Sequence, residues 1–578
     1  MERDIGNGNS PGILAATRRL RSTVGLAAAL LASFLLLYYF HDRYWFPRDD
    51  GYYAHIADRI LGGELLHRDV QALHPGGIYY LNALAMSIFG RSFTSLRFPL
   101  IAAGVLQTLL VFLIMRQKGV AIAAVTGLLS SAVSIVQFYN PTPHWYCLPI
   151  GFAVILLLAP GHRDLRWRIE AIGLLLVTMF WFRQLTAIFV AVGTVSYLLL
   201  ETRGPVPNKS VLGRGLILLM LAAVVLYLRS KTDLVGWLAF GIWPILLLAF
   251  AALRTAVDDK QVLILVRRLT VGGAAVAVPI LLYHAVSGSL EAWFKDVFLD
   301  AVALGEFAYQ KTPRYGAFLI TSLRNLFAFR DATAVVNGTY WLVMLAAPAT
   351  LAISVLVRMT PPRARLGGVA PLPFIGVFYG LVAVHYQDPA YLYFASAPVL
   401  AGLMWYAAGW RNTSIAAAAV LTAVAIYFHA GQPISRSYAD LLSGKRQQIV
   451  TSSIAALDGM HVTPSDELTF RSLLAIVDRH SAPGEPILAV PAEPELFFMS
   501  GRSNPLRYSY LSFGILDDEA VAETLRTLER AHPRIVFHVP VLPYNSKHTD
   551  MIMDWVRENY VHVQSVREFE VYLPAPAD

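Results

Sequence analysis

Long apolar runs, separated by short polar connections, fill the first 430 residues, and no other feature of the sequence constrains the fold as strongly. A helix of about 20 apolar residues crosses the hydrocarbon core of a bilayer, which is about 30 Å thick. Only 15% of the residues are charged, against roughly 25% in soluble proteins, which excludes an ordinary cytosolic enzyme. We therefore predict thirteen membrane spans, near residues 23–43, 98–115, 120–137, 146–160, 169–182, 185–200, 211–228, 234–253, 270–286, 340–357, 369–385, 391–409 and 413–429.

The charges divide the chain into two parts. Residues 1–430 carry 34 Lys and Arg against 20 Asp and Glu, whereas residues 431–578 carry 13 against 19. We expect a polytopic α-helical membrane part over 1–430 and a separate extracytoplasmic α/β domain over 431–578. Nucleic-acid binding would need basic residues clustered on a solvated face, and the sequence contains no such cluster. The single cysteine, Cys147, cannot form an internal disulfide.

The distribution of Lys and Arg predicts the orientation, because cytoplasmic loops carry the excess of positive charge. With the N-terminus inside, the basic connections at 116–118 and 163–168 fall on the inside. The connections at 139–146 and 385–391, which contain no Lys or Arg, then fall outside. Thirteen crossings place the acidic tail outside as well.

Two of the predicted outside loops, 44–97 and 287–339, are too long to be simple turns, and long ordered loops are often functional. In the first loop, apolar residues recur at helical spacing over 52–60, which predicts an amphipathic helix lying in the membrane interface. A second helix is predicted over 78–89. The other loop combines aromatic and basic residues, so it is either a lid with a catalytic role or an aromatic belt that contacts anionic lipids.

The tail has the pattern of a small α/β domain. Apolar runs at 487–490 and 535–539 predict buried strands, and 517–531 has the periodicity of a helix with acidic residues at its start. A further helix is predicted over 551–559, followed by alternating residues over 561–573. The chain has neither GxGxxG nor a Walker-type motif, which argues against a nucleotide-sugar enzyme or an ATP-driven pump.

A group of polar motifs follows the first span. They are Arg-Asp-Asp-Gly-Tyr-Tyr at 48–53, Arg-Asp at 68–69, His-Pro-Gly-Gly at 74–77, Phe-Gly-Arg-Ser at 89–92 and a basic residue at 97. Two adjacent carboxylates, Asp49 and Asp50, raise the pKa of one of them, and a desolvated carboxylate with a raised pKa can act as a base at neutral pH. The alternative is a solvated loop in which Arg48 balances the pair.

The order of these motifs resembles the first periplasmic loop of GT-C class glycosyltransferases, in particular bacterial members of the protein mannosyltransferase and lipid A aminoarabinose transferase group. The resemblance is strong over 49–97, extends in outline to the thirteen spans and the tail, and hardly covers the middle spans. It implies a GT-C-like enzyme of the bacterial inner membrane, with the tail in the periplasm. Its partners would be membrane lipids, a polyprenyl-phosphate sugar donor and a glycan, lipid or protein acceptor.

The resemblance also implies roles for residues of the first loop. The family's acidic residue, which deprotonates the acceptor hydroxyl or organises the site, matches Asp50, with Asp49 as the alternate, and the following tyrosine matches Tyr53. The basic residue that holds the donor phosphate, commonly lysine, is His74 here. Because neutral imidazole binds phosphate more weakly than lysine, His74 is protonated, or ligates a metal, or leaves the phosphate to an arginine.

The next predicted outside loop often carries an acidic residue in the family, and here Asn140 or His144 would take its place as a hydrogen-bond partner. The sequence requires no cofactor. If a divalent metal is used, Asp50, His74 and His144 are its candidate ligands, because such ions accept imidazole and carboxylate. The alternative for His144 is a loop residue with a structural hydrogen bond.

Four further residues are candidates for binding the donor phosphate or another part of the substrate. Arg183 stands at a helix junction, where a charge is costly unless it is paired, so we expect a phosphate or carboxylate partner rather than snorkelling. Tyr386 lies in a segment similar to one near the donor site of these enzymes, although an interfacial tyrosine belt is the alternative. Lys311 and Arg314 belong to the second long loop.

The mechanism that the resemblance implies is a single displacement, in which the acceptor oxygen attacks the anomeric carbon opposite the phosphate and inverts it. One rival is a transporter or flippase of lipid-linked sugars, and another is a noncatalytic membrane scaffold. Within the enzyme class, an oligosaccharide ligase or polymerase is also possible.

Overall fold

The computed structural model describes residues 11–43, 45–201, 210–229, 231–254, 257–304, 315–328, 331–359, 369–430, 448–540 and 544–576. Apolar helices dominate up to residue 430. In chain order the helices are α1 (Pro11–Phe40), α2 (Pro47–Leu61), α3 (Gly77–Phe89), α4 (Phe98–Met115), α5 (Val120–Ala132), α6 (Pro143–Leu158), α7 (Arg168–Phe182), α8 (Gln184–Leu200), α9 (Val211–Leu228), α10 (Leu234–Leu253), α11 (Asp259–Val286), α12 (Tyr315–Ala328), α13 (Ala332–Met359), α14 (Pro371–Tyr379), α15 (Pro389–Ala407) and α16 (Arg411–Ala430).

Each of the thirteen predicted spans coincides with one of these helices. Within the described ranges, eight helices are long and apolar enough to cross a membrane, and several shorter apolar helices accompany them. The prediction of a polytopic α-helical membrane protein is therefore confirmed, whereas the number of thirteen crossings stays a prediction.

Helices α7 and α11 show how the bundle packs. A Cβ atom added to Gly173 would lie 2.1 Å from the carbonyl oxygen of Leu269, and one added to Gly272 would lie 1.8 Å from that of Glu170. Because there is little hydrophobic drive between helices in lipid, small residues that let two backbones approach are the usual means of association. The two glycines therefore fix the contact between α7 and α11.

The first long loop contains the two predicted helices, as parts of α2 and α3. The position of the first one in the membrane interface stays a prediction, but both of its faces are covered by protein. All residues from Asp50 to Ala57 are buried, because α2 lies between the bundle and the C-terminal part of the chain. A Cβ atom on Gly51 would lie 2.5 Å from the backbone nitrogen of Glu495, so the polar face of α2 is covered by protein instead of water.

The second long loop is shorter than predicted, because α13 already begins at Ala332. Two short helices, Leu290–Phe294 and Asp300–Leu304, follow α11, and α12 precedes α13. Residues 305–314 are not among the described ones, so the predicted roles of Lys311 and Arg314 fall outside the structure.

The C-terminal part is a small α/β domain, as predicted. Its strands and main helices are β1 (Val450–Thr451), β2 (His461–Val462), α17 (Pro464–His480), β3 (Leu488–Val490), α18 (Glu495–Ser500), α19 (Asp518–Ala531), β4 (Val536–His538), α20 (Lys547–Asn559), β5 (Tyr560–Val566) and β6 (Phe569–Pro574). The sheet has the order β3-β4-β6-β5, in which β3 and β4 are parallel and the other neighbours antiparallel. A separate antiparallel pair, β1 and β2, precedes it.

This domain is docked on the first loop by main-chain and charged contacts. The backbone N–H of Gln71 donates to the carbonyl of Arg507 at 2.9 Å. The Arg507 guanidinium also reaches the buried Asp296 carboxylate at 2.8 Å, and His67 Nδ1 contacts the same carboxylate at 3.0 Å. Asp296 thus ties the first loop, the second loop and the C-terminal domain together.

Candidate active site

The acidic pair stands in the first turn of α2. Pro47 occupies the first position of the helix, where its missing N–H costs nothing, and the helix dipole favours carboxylates in this turn. Asp50 turns back over the helix start, because its Oδ2 accepts the N–H of Phe46 at 2.8 Å. The neighbouring Asp49 has a different environment, although the two residues are adjacent in the chain.

Asp50 is locked in a buried ion pair. Its Oδ2 accepts from Arg97 Nη2 at 2.7 Å, and both side chains are at most 1% exposed. Arg97 also donates to the carbonyl oxygen of Tyr139, in the connection between α5 and α6. Burial raises the pKa of Asp50, and the Arg97 charge opposes this shift. The Asp50–Arg97 pair therefore connects α2 to the loop that carries Asn140 and His144.

Asp49 carries the less constrained carboxylate. It is partly exposed, and among the residues described here it has neither a hydrogen bond nor an ion pair. Burial, together with the charges of Asp50 and Asp388, raises the pKa of Asp49 to about 7, and Arg48 opposes the shift. A carboxylate with this pKa is ionised in part at neutral pH and can both accept and release a proton.

Arg183 is a buried cation close to the same loops. It is the extended residue between α7 and α8, the residue is 5% exposed, and no acidic partner lies within ion-pair distance in the described parts of the chain. Its Nε has no hydrogen-bond partner there either. The Arg183 Cζ lies 5.7 Å from the ring centroid of Tyr391, whose ring also packs against His144 at 5.2 Å and His385 at 5.8 Å.

His74 lies near the same guanidinium. Its neighbour along the chain, Leu73, is held by Gln184, whose side-chain nitrogen donates to the Leu73 carbonyl at 3.2 Å. Burial and the Arg183 charge lower the pKa of His74 to about 3. Both effects favour the neutral form of the imidazole.

Tyr53 connects the two sides of the site. Burial raises the pKa of its hydroxyl, and the charges of Asp49 and Arg183 act on it in opposite directions. Its hydroxyl lies 3.4 Å from that of Thr142. Asn140, two residues earlier, is buried, and its side-chain oxygen has no partner among the described residues. Tyr53 thus lies within the electrostatic influence of both the carboxylate and the arginine.

The metal site considered for Asp50, His74 and His144 is not assembled. Within the described ranges, no three His, Cys, Asp or Glu side chains are placed to hold one metal ion together. Asp50 faces Arg97, while His144 stacks on Phe394 at 3.6 Å. Asp50 and His144 therefore face different neighbours, and we derive no step that involves a metal from these residues.

The sequence motifs did not predict several residues that lie close to the site. Asp388 caps α15 by accepting the N–H of Ala390 at 3.0 Å, and its charge acts on Asp49. Tyr510 and Tyr544 come from the C-terminal domain, and the Asp49 charge acts on both. The Asp-Pro pair at 388–389 is a typical start of a helix, but no local pattern predicts that distant tyrosines meet α2.

Residues 73–228 match the family described as dolichyl-phosphate-mannose-protein mannosyltransferase. The predicted resemblance to this group is thereby confirmed. The match includes His74 and Arg183 and extends over the middle spans, which the motifs hardly covered. Asp49 and Asp50 precede the matched segment, so their roles depend on the motif order and on the geometry of the site.

Solved structures of two proteins are similar to the chain at low sequence identity. ArnT from Cupriavidus metallidurans, bound to undecaprenyl phosphate, has 14% identity and a TM-score of 0.38 over 96% of this chain and 98% of that chain. The oligosaccharyltransferase of Archaeoglobus fulgidus, tethered to an acceptor peptide, has 13% identity and a TM-score of 0.42 over 96% of this chain and 74% of that chain. No curated protein matches the sequence significantly.

Proposed function

We propose that this protein transfers a sugar from a polyprenyl-phosphate-linked donor to a hydroxyl group of a glycan, lipid or protein acceptor. The observation that carries the proposal is Arg183, a buried guanidinium without an acidic partner in the described part of the chain, whose charge acts on Tyr53 together with that of Asp49. A buried cation of this kind requires an anion, and guanidinium suits phosphate because its N–H groups match the phosphate oxygens.

The arrangement supports an inverting displacement. Asp49 accepts the proton of the acceptor hydroxyl while the acceptor oxygen forms a bond to the anomeric carbon. The bond between that carbon and the phosphate oxygen breaks on the opposite face, and its electron pair stays with the polyprenyl phosphate. Arg183 stabilises the charge of the departing phosphate, an electrostatic contribution that is usually a large part of catalysis. Neutral imidazole of His74 can add a hydrogen bond, but no charge.

The two acidic residues have different roles in this proposal. Asp50 is a positioning residue, since its charge is already matched by Arg97 and its oxygen holds the start of α2. Asp49 is the base, because its carboxylate is partly exposed and its pKa of about 7 suits proton transfer. This reverses the order of preference that the sequence suggested for the pair.

We also propose the orientation that the basic connections indicate, with the N-terminus in the cytoplasm and the C-terminal domain in the periplasm of a bacterial cell. The connections that bear the candidate site then lie on the outer side of the inner membrane. A donor linked to polyprenyl phosphate is available there, whereas nucleotide sugars are cytoplasmic substrates. The absence of nucleotide-binding motifs in the sequence agrees with this placement.

The test is a transfer assay with purified protein in lipid nanodiscs. A panel of radiolabelled polyprenyl-phosphate monosaccharides is combined with envelope extract as acceptor, with and without chelator, for wild type and Arg183→Gln. Loss of one such charge-stabilising group typically lowers turnover by about 10²–10³-fold. Arg358→Gln is the matched control, because Arg358 also lies over a tyrosine ring, at 3.8 Å from that of Tyr406, but on a different helix end.

Donor-dependent product that is lost in Arg183→Gln and kept in Arg358→Gln supports the proposal. Normal transfer by Arg183→Gln would remove the arginine from the mechanism. Movement of labelled lipid across the bilayer without any product would favour the transporter instead. Variants at Lys311 and Arg314, assayed alongside, measure whether these two residues contribute to donor binding as the sequence suggested.

A further inference from the structure

Four helices that are long and apolar enough to cross a membrane have an end on the side of the bundle remote from the candidate site. Their apolar stretches are Arg19–Phe40 in α1, Thr94–Lys118 in α4, Val120–Gln137 in α5 and Ala390–Ala407 in α15. Arg97, which belongs to the site, stands directly before α4, and Arg116 directly after it, so the helix separates the two by about 28 Å. On the orientation proposed above, this remote side faces the cytoplasm.

Close contacts bring these helix ends together. A Cβ atom added to Gly25 of α1 would lie 2.3 Å from Cγ1 of Val120, at the start of α5. Lys118, in the turn before α5, has its Nζ 4.5 Å from the ring centroid of Trp405, in the last turn of α15. The turn after α15 is closed by Ser414 of α16, whose hydroxyl donates to the last carbonyl of α15 at 2.5 Å. The starts of α1, α5 and α16 therefore lie beside the ends of α4 and α15.

These helix ends carry exposed cations. They are Arg19 and Arg21 of α1, Arg116 and Lys118 of the turn after α4, and Arg411 of α16. Arg21 is four residues before Gly25, so it lies on the face of α1 that meets α5. Among the described residues, none of the five cations has a carboxylate within ion-pair distance. The Trp405 ring attracts the Lys118 ammonium through its electron-rich face and leaves the positive charge in place.

The sequence around these helix ends is basic as well. Residues 11–25, 115–120 and 405–414 hold six Lys and Arg and no Asp or Glu. Residues 1–10, which lie outside the described ranges, hold two acidic residues and one arginine, too few to neutralise the six. The stretches 202–209 and 360–368, also outside those ranges, add four basic residues and no acidic one. A positive charge therefore remains here wherever these segments lie.

We propose that the ends of α1, α4, α15 and α16 form a binding site for the headgroup phosphate of an anionic phospholipid. The site is independent of the transfer reaction. Basic pockets between helix ends on the cytoplasmic side of a membrane suit acidic headgroups, and guanidinium groups match the oxygens of a phosphate. A tryptophan suits the boundary between headgroups and hydrocarbon, where Trp405 and Trp410 would lie.

The surroundings of the cations favour a lipid over free phosphate. Leu20 and Val24 of α1 are 64% and 59% exposed, and Trp410 is 77% exposed. Large apolar side chains beside cations provide contacts for acyl chains, which a phosphate ion does not have. The occupant is therefore expected to carry both a phosphate and a hydrocarbon part.

Arg358 provides a matched comparison. Its Cζ lies 3.8 Å from the ring centroid of Tyr406, so it is also a cation on an aromatic ring in the last turn of α15. Consecutive side chains leave a helix about 100° apart, which places this pair on a different flank of α15 from Lys118 and Trp405. The proposed site does not include Arg358.

The experiment titrates the full-length protein in neutral detergent and measures the Kd of each lipid by native mass spectrometry. The probes are phosphatidylglycerol, zwitterionic phosphatidylcholine and polyprenyl phosphate, with water-soluble glycerol phosphate as competitor. We expect phosphatidylglycerol to bind at least ten-fold more tightly than phosphatidylcholine, and glycerol phosphate at the same concentration not to displace it. Because the attraction is electrostatic, this preference should decrease as the salt concentration rises.

Substitutions locate the binding. Arg116→Gln combined with Lys118→Gln should reduce the preference for phosphatidylglycerol at least five-fold. Both side chains are exposed, so the variant should keep the melting temperature of the lipid-free wild type. Lys118→Arg should retain the preference, because it keeps the charge over the Trp405 ring. Arg358→Gln is the control and should leave the preference unchanged.

Four results would overturn the inference. The first is equal binding of the two phospholipids by wild type, and the second is a preference that the double variant retains. The third is an equal loss in Arg358→Gln, which would indicate a general effect of surface charge. The fourth is displacement by glycerol phosphate, or a loss of polyprenyl phosphate binding in the double variant that exceeds the loss for phosphatidylglycerol, since the occupant would then not be a phospholipid. None of these measurements uses a sugar donor or an acceptor, so they are separate from the transfer assay.

Discussion

Replacement of Asp50 by asparagine tests the division of roles within the acidic pair. Asparagine keeps an oxygen that can accept the Phe46 N–H, but it removes the negative charge that faces the Arg97 guanidinium at 2.7 Å. Both side chains are almost completely buried, so the variant leaves a cation without a counter-ion in the interior. Breaking a buried pair in this way typically costs about 3–5 kcal/mol, and we expect α2 to lose local stability by that amount.

Hydrogen exchange of the α2 amides, measured by mass spectrometry in nanodiscs, reports this loss directly. A destabilisation of about 3 kcal/mol would raise exchange through local opening by roughly a hundred-fold. Asp50→Asn combined with Arg97→Gln should cost less than the sum of the two single substitutions, because the residues are in contact. Asp49→Asn is the matched control and should leave protection of α2 unchanged. Wild-type protection in Asp50→Asn would refute the buried pair as the support of α2.

Three further predictions concern the site and the contact between α2 and the C-terminal domain. The transfer rate should fall as pH decreases through about 7, because only ionised Asp49 accepts a proton. Asp388→Asn removes a like charge, so it should move this limb of the pH–rate profile to lower pH. Arg183→Lys should bind polyprenyl phosphate more weakly than wild type in a lipid-binding assay, because lysine keeps the charge but loses the planar fork. Gly51→Ala should push α18 away from α2, because the added Cβ would lie 2.5 Å from the Glu495 nitrogen. We expect a loss of local stability of about 1–3 kcal/mol, which faster hydrogen exchange of the α18 amides would show.

The sequence was sufficient for features that depend on local periodicity. Hydropathy located every helix of the predicted spans, because a helix in lipid must be apolar along its length. Apolar runs, helical periodicity and alternation located β3, β4, α19, α20 and the pair β5–β6 of the tail, but not β1, β2, α17 or α18. The same reasoning placed α2 at the membrane surface, because its residues between Tyr52 and Ile60 alternate as in an amphipathic helix. Periodicity shows which face of a helix is polar, but it does not show what covers that face.

The remaining features depend on contacts between residues far apart in the chain. Arg48 pairs with Glu493, 445 positions later, and no local pattern indicates that the C-terminal domain supplies this partner. The two adjacent carboxylates are a second case in which local sequence was not sufficient. Their sequence marks them as a candidate base, but only Arg97, 47 positions after Asp50, distinguishes the paired carboxylate from the one that lies beside Asp388.

The central claim is that Asp49 accepts the acceptor proton during transfer from a lipid-linked donor. The most direct measurement is the single-turnover rate of product formation from the radiolabelled polyprenyl-phosphate sugar that wild type uses, compared between wild type and Asp49→Asn at pH 8. We expect the variant to lower this rate by about 10²–10⁴-fold, the usual contribution of general base catalysis, while binding of the lipid phosphate is unchanged. Transfer at the wild-type rate by folded Asp49→Asn would contradict the account.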